Sequence, residues 1–430
     1  MTHQRLHQGW ISAISLSTAV AVILAMVVTL VALAVLTAEA QAQTYNVIHD
    51  FTAGQDGATP MAGLTMDQSG DLYGTASHGG TASGPCGVLG CGTVFRLANR
   101  NSDWVLTPLY NFVGGSDGMN PEANVVVGSD GSLYGSTYLG GGACAGDGCG
   151  TIFNLKPPVS ACKAALCPWL ETVVHRFSGL DGLGPVGSVV FDATGNIYGA
   201  TSAGGNQNGG TVFELLPSGG GWINRVIYSP YGYPGSGVRF DKSGNLDGTA
   251  FIGGNGQGSV YQLMPAGSGW IGTNLYSFTN GGDGGYPVAG LILDQAGNLY
   301  GATTTGGTGN GGTVFQLVPS NGHWILNTLY SFTGPGNGRF VVGPVGSLIM
   351  DNAGALYGTA LADGANGYGS VFKLTPGNGG WTYTSLHDFT GGSDGGNPYS
   401  NLVFDNLGNV YGTASIGGAN GLGVIFEIKP

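Results

Sequence analysis

The chain has 430 residues, of which 85 are glycine, 8% are charged and 42% are hydrophobic. The hydrophobic share is enough to bury a core, so the high glycine content does not indicate a disordered, low-complexity chain. The formal net charge is −12 and no cluster of Lys or Arg occurs. Nucleic acid is therefore excluded as a partner, because phosphate binding requires a positive patch, whereas a cation or a neutral polymer such as a polysaccharide is compatible with this charge.

The first 42 residues have the pattern of a signal peptide. Arg5 gives a positive start, residues 11–36 are uncharged and mostly apolar, and AEAQAQ (38–43) offers small-residue cleavage sites after Ala40 or Ala42. An uncleaved membrane anchor is the alternative, because a run of 26 residues is long enough to span a bilayer. Either reading predicts export. We expect residues 43–430 to form one domain, secreted or at the cell surface, without membrane contact after cleavage.

The cysteines occur in three pairs with the same spacing, two Cys separated by four residues. In an exported protein this predicts three local disulfides. Zinc is the alternative, but it usually requires Cys pairs separated by two residues or nearby histidines, which are not found here at suitable spacing. The predicted pairs are Cys86 with Cys91, Cys144 with Cys149, and Cys162 with Cys167.

A repeat with the core "LYGT…GG…GTVF" occurs seven times after the signal segment. The Gly that follows the aromatic residue lies at positions 74, 135, 199, 248, 301, 358 and 412, so successive copies are 49 to 64 residues apart. Each copy contains four short apolar segments separated by turn residues, which is typical of one four-stranded blade of a β-propeller. We name these predicted strands a, b, c and d from the centre of the ring outward.

The two ends of the repeat region predict how the ring closes. The last copy stops after its c strand, VIFEIKP (424–430), while YNVIHDF (45–51) resembles a d strand without preceding a to c strands. Pairing residues 45–51 with the C-terminal blade would complete seven blades and leave no open sheet edge at the closure. The predicted fold is therefore an all-β, seven-bladed propeller of four-stranded blades.

One glycine-rich segment, GNLYGATTTGGTGNGGTVFQL (297–317), contains the GxGxxG pattern of a dinucleotide-binding loop. That fingerprint requires a strand before it and a helix after it. Here a strand follows, and the other copies keep the surrounding residues but lose the pattern. We therefore interpret it as the loop between strands b and c.

The repeated core resembles the GloVer tandem repeat of exported bacterial proteins of the choice-of-anchor type. The resemblance covers all seven copies, nearly the whole of residues 43–430. It implies an exported repeat protein, and it supplies no characterised activity and no catalytic residues.

Aspartates recur in two turns of the repeat. One set precedes a Gly in the loop between strand d and the next strand a, where a ring of carboxylates could bind Ca²⁺; the alternative is that each caps the backbone of its own turn. The other set ends strand a, where turn capping is the favoured interpretation. The candidate Ca²⁺ ligands are Asp56, Asp117, Asp181, Asp283 and Asp394.

Aromatic residues also recur, and the fourth repeat departs from their pattern. The repeated Tyr of strand b and Trp of strand d predict packing between blades rather than sugar stacking. In the fourth repeat Asp247 replaces the Tyr, and Arg239 lies in the innermost strand. A buried charge must be paired or hydrated. Two interpretations follow. Arg239 and Asp247 either form an ion pair or face a water-filled central channel, or they form a polar wall of a ligand site in which Arg239 binds an anionic group.

These patterns favour a secreted, non-enzymatic, monomeric propeller that binds or scaffolds an extracellular polysaccharide or protein on its loop-rich face. The alternatives are a glycan hydrolase or lyase with its site at the mouth of the central channel, and a purely structural surface protein. We predict no catalytic residues and no cofactor other than the candidate Ca²⁺. Glycoside hydrolysis uses two carboxylates at a defined separation, and the sequence singles out no such pair.

Overall fold

A computed structural model describes residues 43–81, 84–100, 103–142, 144, 146–158, 169–333 and 343–429. Within this part of the chain, Tyr45–Lys429 form one compact unit. The predicted signal segment, residues 1–42, lies outside the described residues. Among the residues that are described, no helix is both long and apolar enough to cross a membrane.

The described chain forms seven antiparallel sheets of four strands each, arranged as a β-propeller, which confirms the predicted fold. The a strands are β2 Thr65–Met66, β6 Val126–Val127, β10 Leu183–Phe191, β14 Arg239–Phe240, β18 Ile292–Leu293, β22 Ile349–Met350 and β26 Val403–Phe404. The b strands are β3 Leu72–Ala76, β7 Leu133–Thr137, β11 Ile197–Ala203, β15 Leu246–Ala250, β19 Leu299–Thr303, β23 Leu356–Ala360 and β27 Val410–Ala414.

The outer two strands are longer than the inner two in every blade except the third, where the a strand β10 has 9 residues. The c strands are β4 Thr93–Arg100, β8 Thr151–Lys156, β12 Thr211–Ser218, β16 Ser259–Ala266, β20 Asn310–Ser320, β24 Ser370–Gly377 and β28 Val424–Lys429. The d strands are β5 Asp103–Asn111, β9 Leu170–Arg176, β13 Gly221–Tyr228, β17 Gly269–Ser277, β21 His323–Thr333, β25 Gly380–Asp388 and, for the seventh blade, β1 Thr44–Asp50. Two helical turns, Gly84–Leu89 and Gly253–Gly256, lie in b–c loops.

Six of the seven a–b hairpins are closed by the aspartate that ends strand a; in blade 2 this position is Gly128, and Asp130 Oδ1 accepts the Ser132 N–H. In blade 5, Asp294 Oδ1 accepts the backbone N–H groups of Ala296 (2.8 Å) and Asn298 (2.9 Å). Gly297 has a φ of +87°, a conformation that glycine adopts without a steric penalty. The predicted turn-capping role of this set of aspartates is thereby confirmed in blade 5, and the same bonds recur at Asp67, Asp192, Asp241, Asp351 and Asp405.

The core lies between the blades and is aromatic. A Phe at the end of strand d packs edge-on against the Phe of strand c in the next blade, as Phe278 does against Phe315, with centroids 5.2 Å apart. Such pairs contribute about 0.5–1.5 kcal/mol beyond the area they bury. The Tyr of strand b meets the Trp of the following blade, as Tyr198 meets Trp270 at 5.8 Å, which confirms the predicted packing role of these aromatics. A Cβ on Gly301 would lie 2.6 Å from Phe315 Cζ, which explains the Gly after the aromatic in the repeat.

The ring closes as predicted, through the N-terminal strand. β1 pairs with β28 of the C-terminal blade, and the Phe51 N–H donates to the Gly423 carbonyl at 3.2 Å. The Tyr45 ring stacks on His387 of blade 6 with centroids 3.6 Å apart, and its hydroxyl donates to the Asp394 carbonyl at 2.5 Å. Residues more than 330 apart in sequence thus hold the first and last parts of the ring together.

Two of the three predicted disulfides are confirmed. Cys86 is bonded to Cys91 and Cys144 to Cys149, with Cα–Cα distances of 5.2 Å and 5.5 Å. Both bonds close small b–c loops, and such disulfides are typical of an oxidising compartment. Cys162 and Cys167 lie outside the described residues.

Candidate functional site

The loop-rich face of the propeller has a cavity at the mouth of its central channel. In every blade the proline of the d–a loop is followed by a residue at the inner rim, and all seven of these residues line a cavity of about 370 Å³. This volume falls within the usual range of small-ligand sites. The seven rim residues are Met61, Glu122, Val186, Gly235, Val288, Val345 and Tyr399.

A second ring of residues, at the ends of the b strands, surrounds the first. In four blades it is Ser or Thr, whose hydroxyl donates to a carbonyl of the neighbouring loop, as Ser77 does to Thr59 at 2.8 Å and Thr304 does to Tyr286 at 2.9 Å. In the other three blades this position is Tyr138, Phe251 and Leu361, which line the cavity together with Thr304. With Tyr399, the mouth therefore contains three aromatic rings.

Among the residues that the structure describes, Glu122 is the one charged residue that lines the mouth cavity. It is exposed to the channel and has no hydrogen-bond or ion-pair partner in the described protein. Burial nevertheless raises the pKa of its carboxyl above the usual value, because the surrounding rim restricts access to bulk water. The mouth therefore combines aromatic faces with one uncompensated acid.

The sequence analysis did not single out Glu122, Tyr138, Phe251 or Tyr399. The signal that could have found them is variation within a regular repeat. The turn aspartates, core Phe residues and turn glycines recur because every blade needs them, whereas the residue after the loop proline is Met, Glu, Val, Gly, Val, Val and Tyr in blades 1 to 7. Positions at which the blades differ are free of the requirements of the fold.

A second cavity of about 600 Å³ extends along the channel, shares the rim residues Glu122 and Tyr399 with the mouth cavity, and includes many small residues in its wall. A Cβ on Gly237 would lie 2.4 Å from the Ser188 carbonyl oxygen, so adjacent a strands approach too closely for larger side chains. Asn124 Oδ1 accepts the Gly63 N–H at 2.9 Å across the first pair of blades. This wall is mainly structural, and it carries little of the aromatic surface found at the mouth.

Arg239 and Asp247, the two predicted ligand-binding residues, lie opposite each other on β14 and β15 but have different surroundings. Arg239 is exposed and lines the deeper channel. Asp247 is 1% exposed and lines neither channel cavity. No ion pair within 4.0 Å joins them among the described residues. The two residues therefore form neither an ion pair nor one shared wall. Arg239 lines the channel, whereas Asp247 is buried.

The environment of Asp247 is that of a partly unsatisfied buried acid. Its Oδ1 accepts from Gln262 Nε2 at 2.9 Å, and its Oδ2 has no partner. Burial raises its pKa to about 7, with the nearby negative charge of Asp241 acting in the same direction. In the neighbouring blade the equivalent Tyr300 donates to Asp294 at 3.1 Å. Because Asp247 stands where the other blades have Tyr, blade 4 lacks the hydrogen bond from the phenol hydroxyl and also lacks the aromatic contact.

The five candidate Ca²⁺ ligands lie in five different d–a loops. Each accepts hydrogen bonds from groups of its own loop or of the strand d that precedes it. Asp56, Asp181, Asp283 and Asp394 accept the backbone N–H and the hydroxyl of a Thr or Ser three or four residues earlier. Their second partner is a His or Tyr of strand d, as in the His175–Asp181 contact of 2.8 Å. These bonds are the turn-capping geometry. Within the described ranges, no three His, Cys, Asp or Glu side chains are grouped so that they could hold a metal ion.

Asp117 differs from the other four. Its Oδ2 accepts from Tyr110 (3.0 Å) and the Val113 N–H (2.9 Å), but its Oδ1 is buried without a partner. Glu171 on the next blade also has an unpartnered buried oxygen. Burial, followed by the charge of Asp117, raises the pKa of Glu171 to about 7. The negative charge of Asp117 therefore disfavours ionisation of Glu171.

A family model described as the Gloeobacter/Verrucomicrobia repeat matches residues 34–229 and 233–430. The chain belongs to the Gloeobacter/Verrucomicrobia repeat family. This confirms the resemblance to the GloVer repeat. A comparison with curated proteins gave no significant match.

Solved structures that resemble this member of the repeat family are distant propellers. A protein from Bacteroides uniformis, assigned provisionally as a 6-phosphogluconolactonase, is 13% identical, with 82% of this chain and 89% of that chain covered and a TM-score of 0.50. A gluconolactonase from Xanthomonas campestris is 13% identical, with 92% of each chain covered and a TM-score of 0.43. At these identities the likeness shows the propeller fold alone.

Proposed function

We propose that the protein is an exported, non-enzymatic propeller that binds carbohydrate at the mouth of its central channel. The observation that carries this proposal is the composition of the mouth cavity, which places Tyr138, Phe251 and Tyr399 around a space of about 370 Å³ beside Glu122. Aromatic rings present flat apolar faces, and a carboxylate accepts hydrogen bonds from hydroxyl groups. A sugar ring offers both an apolar face and hydroxyl donors, so this mixture suits it.

Binding is favoured over hydrolysis because the described wall of the cavity supplies a single carboxylate, that of Glu122. Glycoside hydrolysis normally requires a second acid, either about 5–5.5 Å away in retaining enzymes or about 6.5–9.5 Å away in inverting enzymes. Along the described part of the channel the other charged residue is Arg239, whose guanidinium does not replace a second acid. The two confirmed disulfides support the exported part of the proposal, since they suit an oxidising compartment. We further propose that the protein acts as a monomer.

Binding of the purified protein to a glycan array tests this function, followed by calorimetric titration of each glycan that binds. We expect Tyr399→Ala and Tyr138→Ala each to weaken binding about fivefold, because the contact of one ring contributes on the order of 1 kcal/mol. Tyr231→Ala is the matched control, since Tyr231 lies in a d–a loop of the same face, is 83% exposed and does not line the cavity. An array without any bound glycan would refute the proposal, and so would equal effects of the three substitutions.

A further inference from the structure

Glu122, the one charged residue in the described part of the mouth, narrows the class of ligand; this inference rests on the proposed carbohydrate binding. We propose that the mouth recognises a saccharide with a free amino group, whose ammonium pairs with Glu122 while the sugar ring contacts the aromatic rim. The ligand is thus an amino sugar in its non-acetylated form, at the end of a chain or as a single unit.

The fold does not require an acid at the position of Glu122. The equivalent residue is Val in blades 3, 5 and 6, and these valines occupy the same rim of the same cavity. The described protein provides no hydrogen-bond donor or cation to Glu122. A carboxylate that no described group compensates, at a position where an apolar residue fits, is suited to meet a group from outside.

The chemistry around Glu122 is complementary to an ammonium group. Charge-assisted hydrogen bonds between an ammonium and a carboxylate are about twice as strong as neutral ones, and they gain further where bulk water is restricted. The faces of aromatic rings such as Tyr138 and Tyr399 also attract a cation, by about 0.5–2 kcal/mol. The net charge of −12 favours the approach of a cation from solution.

Arg239 limits how far such a ligand can enter. Its guanidinium lines the deeper channel but not the mouth cavity. A second ammonium carried into the channel would meet a like charge there. The arrangement therefore favours one positively charged sugar at the mouth over a polycation threaded along the axis.

The test compares three sets of β-1,4-linked oligosaccharides, built from glucosamine, N-acetylglucosamine or glucose, by calorimetric titration at pH 6. We expect the wild-type protein to bind glucosamine oligomers at least tenfold more tightly than the other two. Glu122→Gln should lower the affinity for glucosamine oligomers tenfold or more, and it should change the affinity for the neutral oligomers less than threefold. Glu122→Val, which installs the residue of three other blades, should behave like Glu122→Gln and keeps the test independent of amide hydrogen bonding.

Asp147→Asn is the matched control, because Asp147 is an exposed acid in the b–c loop of the same blade and does not line the cavity. It should leave all affinities unchanged. Equal binding of the charged and neutral oligomers would overturn the amino-sugar inference while leaving carbohydrate binding intact. An equal loss for all three sets in Glu122→Gln would also overturn it, because Glu122 would then accept hydroxyl groups. An array on which no glycan of any kind binds would instead refute the proposed function.

Discussion

Replacement of Asp247 by the Tyr found in the other blades should stabilise the protein. In blade 5 the equivalent Tyr300 donates to Asp294 and accepts from Gln316 Nε2 at 2.8 Å. Blade 4 already has the corresponding partners, since Gln262 Nε2 lies 3.4 Å from Asp241 Oδ2. Asp247→Tyr thus restores a side chain for which the hydrogen-bonding groups are present.

The expected gain in the free energy of unfolding follows from the removal of the buried carboxyl of Asp247. Its pKa rises from an ordinary 3.8 to about 7, which corresponds to at most about 4 kcal/mol of lost stability once the pH exceeds 7. An unsatisfied buried polar group typically costs about 1–3 kcal/mol, and an added aromatic pair contributes about 0.5–1.5 kcal/mol. We therefore expect Asp247→Tyr to raise the free energy of unfolding by about 2–4 kcal/mol at pH 8.

The pH dependence separates this cause from general packing effects. A pKa that is higher in the folded state makes the wild-type protein lose stability as the pH rises from 3.8 to about 7. Urea unfolding, followed by tryptophan fluorescence from pH 4 to pH 8, measures this for the wild type, Asp247→Tyr and the near-isosteric Asp247→Asn. Both variants should gain relative to the wild type as the pH increases. A constant difference at all pH values would refute the reasoning, because the carboxyl would then not be an uncompensated buried acid.

Three further predictions concern the closure, the disulfides and the acid response. Tyr45→Phe removes the hydroxyl bond to Asp394 and should cost about 0.5–1.5 kcal/mol in urea unfolding; no change would show that the bond does not support the closure. Reduction of the Cys86–Cys91 disulfide should cost about 2 kcal/mol and leave the far-ultraviolet circular dichroism unchanged, whereas loss of the β signal would contradict its local role. Burial lowers the pKa of His387 below 6.5, so stability should fall as the pH drops below 6.5, and His387→Tyr should reduce this fall in thermal unfolding. An unchanged acid response in that variant would argue against His387 as its source.

The ring and its closure could be predicted because they depend on positions that recur in every blade. The turn aspartate, the Gly under the core Phe and the Tyr–Trp contact are each required by local geometry, so they appear at a fixed place in every copy or in most copies. The strand order at the closure follows from counting strands at the two ends. The seventh blade takes its d strand, β1, from one end of the described chain and its c strand, β28, from the other.

The mouth of the channel could not be predicted in the same way. Its rim takes one residue from each blade, so Glu122 and Tyr399 are neighbours in a ring only once the seven sheets are assembled. In the sequence they are isolated residues after prolines, and their variation between repeats resembles neutral drift. Arg239 and Asp247 were noticeable because they broke a repeated pattern, but burial, which the sequence does not report, separates a channel residue from a residue of the core.

A crystal structure of the protein with the tightest-binding saccharide from the array tests the central claim most directly. The account predicts a sugar ring in the mouth cavity, in contact with Tyr138 or Tyr399 and with one of its polar groups within about 3 Å of a Glu122 carboxyl oxygen. A sugar bound on the outer d strands, on the face of the a–b turns or deep in the channel beside Arg239, with the mouth empty, would contradict it.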